Sequence, residues 1–119
     1  MLFVKSQDFN MRYVLVQGGL GNQMFQYAFL LALRQRGIDV MMDISYFNFM
    51  KMHNGFELKN VFGIDEPVIN KSGLHLILLR SIVKSSFKKL IIKDCFEFSD
   101  NVLSQKAMFY WGYWQNEKY

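Results

Sequence analysis

The chain has 119 residues, of which 51% are hydrophobic, and its formal net charge is +4. A chain of this length and composition forms one small domain that buries roughly two-thirds of its unfolded surface, so disorder is not expected. The single cysteine, Cys95, excludes an internal disulfide and suits a reducing compartment. No apolar run approaches the roughly 20 residues that a membrane-spanning helix needs.

The first ten residues differ in pattern from the rest. They contain no positive leader followed by an apolar block, as a secretory signal would, and Met11 directly precedes the first convincing strand. We therefore predict a mobile extension at residues 1–10 and a folded domain at residues 11–119.

A strand, a glycine-rich turn and the start of a helix follow one another near the beginning of this domain. Tyr13–Gln17 is a short run with β-branched residues bounded by glycine, which predicts a buried strand. The turn contains Gly18, Gly19 and Gly21, and Asn22 is the residue that we expect to cap the helix.

The helix then extends to the basic residues before Gly37, which supplies its C-terminal cap. Its apolar stripe is predicted from helical spacing. The predicted stripe consists of Phe25, Ala28, Phe29, Ala32 and Leu33 and is widened by Met24, Tyr27 and Leu31. Asp39–Ile44 is the next strand, so the unit should be a right-handed βαβ unit with parallel neighbouring strands.

The remaining two-thirds of the domain continues the α/β pattern. The sequence predicts a turn at Asn54-Gly55, a short helix over Glu57–Phe62 closed by Gly63, and a long helix over Leu74–Leu90. Two further strands are predicted at Ile91–Ile92 and Ala107–Tyr113.

Chemistry alone makes the glycine turn a candidate anion site. A strand that runs through glycines into a helix N-terminus presents backbone N–H groups without intrahelical partners, and the helix dipole favours a phosphate there. The dipole contributes about 0.3–1 kcal/mol, up to ~2 when partly buried, so a leaving diphosphate would need a cation from elsewhere. The alternative is that the glycines only allow the strand and the helix to approach closely.

Two familiar glycine motifs fit the turn poorly. The phosphate-binding G-x-x-x-x-G-K-[ST] motif is absent. The dinucleotide motif G-x-G-x-x-G matches at Gly19 and Gly21 but has Met24 in place of the glycine that permits close helix packing. Asp43, at the end of the second strand, stands where a ribose-binding acid would, so an NAD-binding module remains an alternative.

The amino-acid sequence around the glycines resembles that of a known family. GGLGNQMFQYAFLLAL (18–33), HNGFELKNVFGI (53–64) and GYWQNEKY (112–119), in this order, resemble the bacterial α-1,2-fucosyltransferases of glycosyltransferase family 11. The resemblance implies an α/β fold of the GT-B type, with two Rossmann-like domains facing a cleft. It also implies transfer of fucose from GDP-fucose to the 2-hydroxyl of a galactose-type acceptor, with inversion and without a cofactor or a required metal.

In that family the first domain shapes the acceptor side and the second holds GDP-fucose. Gly19, Gly21, Asn22 and Gln23 match the family's G-x-G-N-Q loop, which faces the donor diphosphate and the fucose. The family's donor motif, His-x-Arg followed by an acid, has no counterpart, since His53 precedes Asn-Gly and His75 precedes Leu-Ile. We therefore expect the sequence to correspond to the N-terminal, acceptor-side domain, truncated before the donor-binding domain and inactive alone.

Several other side chains have two interpretations each. His53 could line the acceptor cleft or cap a neighbouring carbonyl, and Trp114, with Trp111 and Tyr113, could stack on an acceptor sugar or pack in the core. Glu117 could act as a general base or as a partner of a helix dipole. The catalytic residue is therefore not assigned. No Asp-x-Asp and no set of His, Cys and Asp with ligand spacing occurs, so no metal is expected.

The positive charge is concentrated in residues 71–93, which contain six basic and no acidic residues before Asp94. Arg80, Lys84 and Lys88 form a stripe on the predicted helix. Such a stripe is typical of a solvated helix face, and it also suits a peripheral domain at an anionic membrane surface. We expect a cytoplasmic protein, peripheral at the inner face of the membrane if the stripe binds lipid, and no nucleic-acid partner because no binding motif accompanies the charge.

Overall fold

A computed structural model of the chain describes residues 11–48, 50, 54–70, 91–93, 100–104 and 109–119. These residues form a parallel five-stranded sheet with helices, which is an α/β fold. The strands are β1 (Arg12–Leu15), β2 (Val40–Asp43), β3 (Val68–Ile69), β4 (Ile91–Lys93) and β5 (Phe109–Trp111). The helices are α1 (Leu20–Gln35), α2 (Leu58–Phe62) and α3 (Asp100–Ser104), and a 3₁₀ turn spans Ser45–Asn48.

The sheet has the order β3-β2-β1-β5-β4, and every neighbouring pair is parallel. The predicted order β1-α1-β2 and the parallel pairing of its two strands are confirmed, with Tyr13 beside Met41 in the register. The register also places Leu15 level with Asp43 on one side and with Trp111 on the other. The carboxyl ends of the three central strands therefore lie at one edge of the sheet.

Helix α1 ends as its glycine predicts. Gly37 has a positive φ of 80°, its N–H donates to the carbonyl oxygen of Arg34 at 3.0 Å, and the N–H of Ile38 donates to that of Leu33 at 3.2 Å. This pair of bonds is the Schellman arrangement, in which a left-handed residue satisfies the last helical carbonyls. Gly63 ends α2 in the same left-handed conformation, with φ of 66°.

The buried face of α1 is rotated from the predicted one. Phe29 and Leu33 are fully buried as expected, whereas Phe25 is 38% exposed and Ala28 is exposed. The predicted stripe is wrong at these two positions, and also at Met24 and Leu31, which are exposed. The buried face is instead completed by two glutamines and a leucine. The buried residues of the helix are Gln23, Gln26, Phe29, Leu30 and Leu33.

The core lies between the sheet and the helices that cover it. Helix α2, which the sequence predicted, contributes Leu58, and α3 contributes Val102 and Leu103. The core cluster consists of Val14, Val16, Phe29, Leu30, Leu33, Ile38, Val40, Met42, Leu58, Val102, Leu103, Tyr110 and Trp114.

The other predicted elements are confirmed in part. Strand β5 lies within its predicted segment, β4 extends one residue beyond its own to Lys93, and the turn at Asn54-Gly55 is present with Gly55 at a φ of 74°. Strand β3 was not predicted. The predicted extension at 1–10, the helix at 74–90 with His75 and its basic stripe, Cys95 and His53 lie outside the described residues.

Candidate functional site at the glycine turn

The glycine turn leaves β1 at the carboxyl edge of the sheet, beside the end of β5. In parallel α/β sheets this edge is where loops form ligand sites. Val16 continues the pairing by donating its N–H to the carbonyl oxygen of Asp43 at 2.9 Å, and the chain then turns at Gly18 into α1. The turn is therefore anchored to β2 on one side and faces the segment after β5 on the other.

Gly18 is required by the backbone and by its surroundings. Its φ of 82° lies in the left-handed region, which residues with a Cβ atom disfavour. A Cβ atom added there would lie 2.8 Å from Nδ2 of Asn22 and 3.1 Å from Cε1 of Tyr113. At Gly18, therefore, the glycine allows the neighbouring side chains of Asn22 and Tyr113 to approach the backbone closely.

At the N-terminus of α1, Gly21 is exposed and its neighbours are half-buried. The helix begins at Leu20 with Gly19 as its N-cap, and no side chain caps it. The first helical hydrogen bond runs from the N–H of Gln23 to the carbonyl oxygen of Gly19 at 3.0 Å, so the preceding N–H groups have no partner within the helix. The prediction that Asn22 caps the helix was wrong, because the helix begins two residues earlier.

The first turn of α1 favours a negative charge. This turn contains no acidic residue, and a Cβ atom added at Gly21 would meet no described atom within 4 Å. Gly21 is therefore not required by packing in the described part of the molecule, in contrast to Gly18. An anion would find the N–H groups that lack an intrahelical partner and the positive end of the helix dipole together at this place.

Gln23 is an internal clamp. Its side chain is fully buried, and Nε2 donates to the carbonyl oxygens of Gly18 at 3.0 Å and Gly55 at 2.8 Å. Its Oε1 accepts the N–H of Glu57 at 2.9 Å. Because both donors and the acceptor are engaged inside the protein, the prediction that Gln23 contacts a ligand directly is corrected. The side chain instead holds the loop at 54–57 against the glycine turn.

Gln26 makes a second clamp, on the other side of the turn. Its Oε1 accepts the N–H of Gln17 at 3.0 Å, and its Nε2 donates to the carbonyl oxygen of Gly112 at 3.0 Å. The side chain is fully buried and joins the segments that directly follow β1 and β5. Sequence reasoning did not single out Gln26, although a glutamine at a buried helical position is itself a signal of such a bond.

Asn22 is the predicted polar residue that reaches the surface of the turn. Its side chain is half-buried, and its Oδ1 accepts a hydrogen bond from Nε2 of the exposed Gln115. Gly19 and Gly21 lie beside it in the same turn. The structure therefore brings together Gly19, Gly21 and Asn22 and adds Gln115, which the sequence analysis did not name.

Trp114 lies in the core. It is fully buried, stacks on Phe29 with ring centroids 3.9 Å apart, and meets Tyr119 edge-on at 5.9 Å. A buried ring cannot stack on a sugar, so the acceptor-binding interpretation of Trp114 is corrected in favour of core packing. Tyr113 is half-buried beside Gly18, and Trp111 is half-buried in β5.

Asp43 is also inside the protein. It is 2% exposed, and its Oδ1 accepts the N–H of Ser45 at 2.9 Å, which shapes the turn after β2. A ribose-binding carboxylate must face the ligand, so this geometry removes the residue on which the NAD alternative depended. Glu117 is exposed in a C-terminal turn in which Asn116 accepts the N–H of Lys118 at 3.0 Å.

The ionic cluster of α1 lies toward the other end of the helix. Arg34 donates to Glu66 at 2.8 Å and to the carbonyl oxygen of Val40 at 3.0 Å, while the hydroxyl of Tyr27 donates to Glu66 at 3.4 Å. The hydrogen bond from Arg34 lowers the pKa of Glu66, and burial together with the charge of Glu66 raises the pKa of Tyr27. A depression of about 320 Å³ beside this cluster is lined by Met11, Arg34, Gly37, Ile38, Asp39, Val40, Met41 and Pro67. It opens at the amino edge of the sheet, away from the glycine turn.

The described residues hold no group of three or more His, Cys, Asp or Glu side chains that could bind a metal ion. Within the described segments, no helix has both the length and the apolar character needed to cross a bilayer.

Comparison of the chain with protein-family models, with curated proteins and with solved structures gives no match.

Proposed function

We propose that the chain is the acceptor-side, Rossmann-like domain of a GT-B-type α-1,2-fucosyltransferase, which transfers fucose from GDP-fucose to the 2-hydroxyl of a galactose-type acceptor with inversion. The proposal is supported by the family resemblance of three segments and by the parallel α/β sheet. The observation that carries it is the uncapped, acid-free N-terminus of α1 at the carboxyl edge of β1, with Gly21 open to solvent.

The turn would orient the diphosphate of the donor. The N–H groups of Leu20, Gly21 and Asn22 supply fixed partial positive charge, and the Asn22 and Gln115 amides supply hydrogen bonds beside it. The stabilisation available at one helix terminus is about 1 kcal/mol, which positions a diphosphate but does not make it a good leaving group. The cation for that step would come from the donor domain, whose His-x-Arg motif this sequence lacks.

The loop at 54–57 would form the neighbouring wall of the acceptor site. Gln23 bridges this loop and the glycine turn by donating to the carbonyl oxygens of Gly55 and Gly18, so an acceptor on this loop would stand next to a donor on the turn. Loss of the proton from the acceptor hydroxyl requires a base, and the described geometry does not single one out. Because the His-x-Arg motif that supplies the family's donor-binding arginine is missing from the sequence, the chain alone should bind its ligands weakly and have negligible transferase activity.

The donor side of the proposal is tested by NMR titration of the ¹⁵N-labelled chain with GDP-fucose. We expect the backbone N–H signals of Leu20, Gly21 and Asn22 to shift. Gly21→Ala should keep these shifts because it removes no N–H group, whereas Gly21→Asp should lose them because it places an acid at the site. Both substitutions point into open space, so both variants should fold. Unperturbed signals, or equal shifts in the Asp variant, would contradict the proposal.

The acceptor side is tested with a pair of matched ligands. Methyl β-galactoside and its 2-deoxy analogue differ only at the hydroxyl that would receive fucose. The proposal expects saturation transfer from the protein to the galactoside and weaker transfer to the 2-deoxy compound. Measurable fucose transfer by the chain alone would refute the expected dependence on a separate donor domain.

A further inference from the structure

The outer face of α1 carries an apolar seam. Met24 is 48% and Leu31 is 40% exposed, and Gly21, Ala28 and Gln35 on the same face are also exposed. These five residues, which we call the exposed seam, have the spacing 3, 4, 3, 4. This is the a/d repeat by which one helix packs along another, and it spans about 21 Å of helix.

The exposed seam is complementary to itself when two copies lie antiparallel. In one register, Gly21 faces Leu31 of the second copy and Met24 faces Ala28 of the second copy, and symmetry repeats both pairs. Every central layer then sets a large side chain against a small one, as close packing of facing positions requires. In a parallel pair, by contrast, Met24 would face Met24 and Ala28 would face Ala28, which alternates crowded layers with empty ones.

The charge distribution also suits a second copy. The chain carries a net charge of +4, yet residues 20–33 contain no charged side chain. Two copies can therefore meet along this face without placing like charges opposite each other, and antiparallel helices also align their dipoles favourably. The flanking Phe25, 38% exposed, adds apolar surface beside the seam.

We propose that the chain forms an isologous dimer through the exposed seam, with the two α1 helices antiparallel. The occupant of this face is a second copy of the same chain. A single pair of helices falls at the low end of specific interface sizes, below about 1,200 Å² in total, so the dimer forms only at high protein concentration. This inference goes beyond the proposed function and does not depend on it.

Sedimentation equilibrium tests the dimer. The mass should rise from 14.1 kDa toward twice that value as the protein concentration increases from about 10 to 500 µM. Ala28→Glu, which buries a carboxylate against Met24 of the second copy, should raise the dissociation constant at least about tenfold. Asn60→Glu, an equal change of charge on the exposed face of α2, should leave it unchanged.

A crosslinking experiment tests the register. Met24→Cys and Ala28→Cys are prepared separately, each with Cys95→Ser, and are oxidised alone and mixed. Disulfide dimers should form faster in the mixture than in either sample alone, because only the mixed pair faces one another in the antiparallel register. A monomer at every concentration, or rapid crosslinking of Met24→Cys alone, would overturn the proposal. If the chain were a monomer at every concentration, the exposed seam would instead be a surface that contacts another domain or a membrane. Binding of the monomer to lipid vesicles would distinguish these two occupants.

Discussion

The side-chain amide of Gln23 donates to the carbonyl oxygen of Gly55 at 2.8 Å, across 32 positions of the sequence. The same nitrogen donates to Gly18, so one buried side chain fixes the distance between the glycine turn and the loop at 54–57. Together with the clamp made by Gln26, this bond turns two irregular segments into a defined edge of the sheet. The rigidity of the candidate site therefore originates inside α1 and not in the loops themselves.

Replacement of Gln23 by methionine should destabilise the domain by about 2–4 kcal/mol. The substitution keeps the length of the side chain but leaves the carbonyl oxygens of Gly18 and Gly55 and the N–H of Glu57 without their hydrogen-bond partner. Each buried polar group that loses its partner costs about 1–3 kcal/mol of stability. Urea denaturation measures the loss. Hydrogen exchange of the Glu57 amide should accelerate in the same variant.

The neighbouring residue supplies a matched control. Met24→Gln is the reverse exchange at a position that is 48% exposed, and it should change the stability by less than about 0.5 kcal/mol. Equal effects of the two substitutions would mean that the bonds of Gln23 contribute nothing beyond its volume.

The two glycines of the turn should respond to alanine with opposite signs. Gly18→Ala should destabilise by about 2 kcal/mol or more, because the left-handed conformation is strained for alanine and the new methyl group meets Asn22 and Tyr113. Gly21→Ala should stabilise by roughly 0.5–1 kcal/mol, because it lies in the helix and faces open space. Thermal unfolding of both variants at one protein concentration is the measurement, and effects of the same sign would contradict the geometry described above.

The fold was largely predictable because its signals are local. Apolar β-branched runs predicted β1 and β2, and the glycines at positions 37 and 63 predicted the ends of α1 and α2. Strand β3, with two residues, carries too little pattern to be recognised, and the order of the strands depends on long-range pairing that periodicity does not contain.

For the candidate site, the sequence predicted the position of the backbone turn but not the roles of its side chains. The glycines marked the turn correctly, whereas the ligand contact predicted for Gln23 was wrong, and the residue type alone could not decide between the interpretations left open for Asp43 and Trp114. All three side chains are buried. Gln23 is bonded to the distant loop at 54–57, and Trp114 stacks on the distant Phe29. Asp43 is bonded to the turn that follows β2. Burial of a polar side chain follows from its partners, and those partners are not visible along the chain.

Trp114 should behave as a buried fluorophore. The chain has two tryptophans, so Trp111→Phe leaves Trp114 as the only one. Its emission should be blue-shifted, resist quenching by acrylamide and remain unchanged when a galactoside is added. Trp114→Ala should cost about 3–5 kcal/mol, since it empties the space beside Phe29. Strong quenching by acrylamide, or a change of emission with the sugar, would restore Trp114 as a binding residue.

The ion pair between Arg34 and Glu66 should make stability depend on pH in the acid range. The hydrogen bond from Arg34 holds the pKa of Glu66 below its ordinary value of 4.5. Because the carboxylate is favoured in the folded state, its contribution is present above pH 4.5 and is lost as the pH falls through the lowered pKa of the folded protein. Arg34 and Glu66 are partly exposed, with side-chain exposures of 34% and 18%, so the contribution should be about 1 kcal/mol.

Glu66→Gln should therefore destabilise the domain by about 1 kcal/mol at neutral pH and by almost nothing once Glu66 is protonated in both states. Asp65→Asn is the matched control, because Asp65 is 88% exposed and lies 3.9 Å from Lys59. That variant should follow the parent chain at every pH. Urea denaturation between about pH 3 and pH 7 measures the free energy of unfolding of both variants and the parent. If the difference between Glu66→Gln and the parent persisted unchanged at the acid end, the pair would act through packing and not through charge.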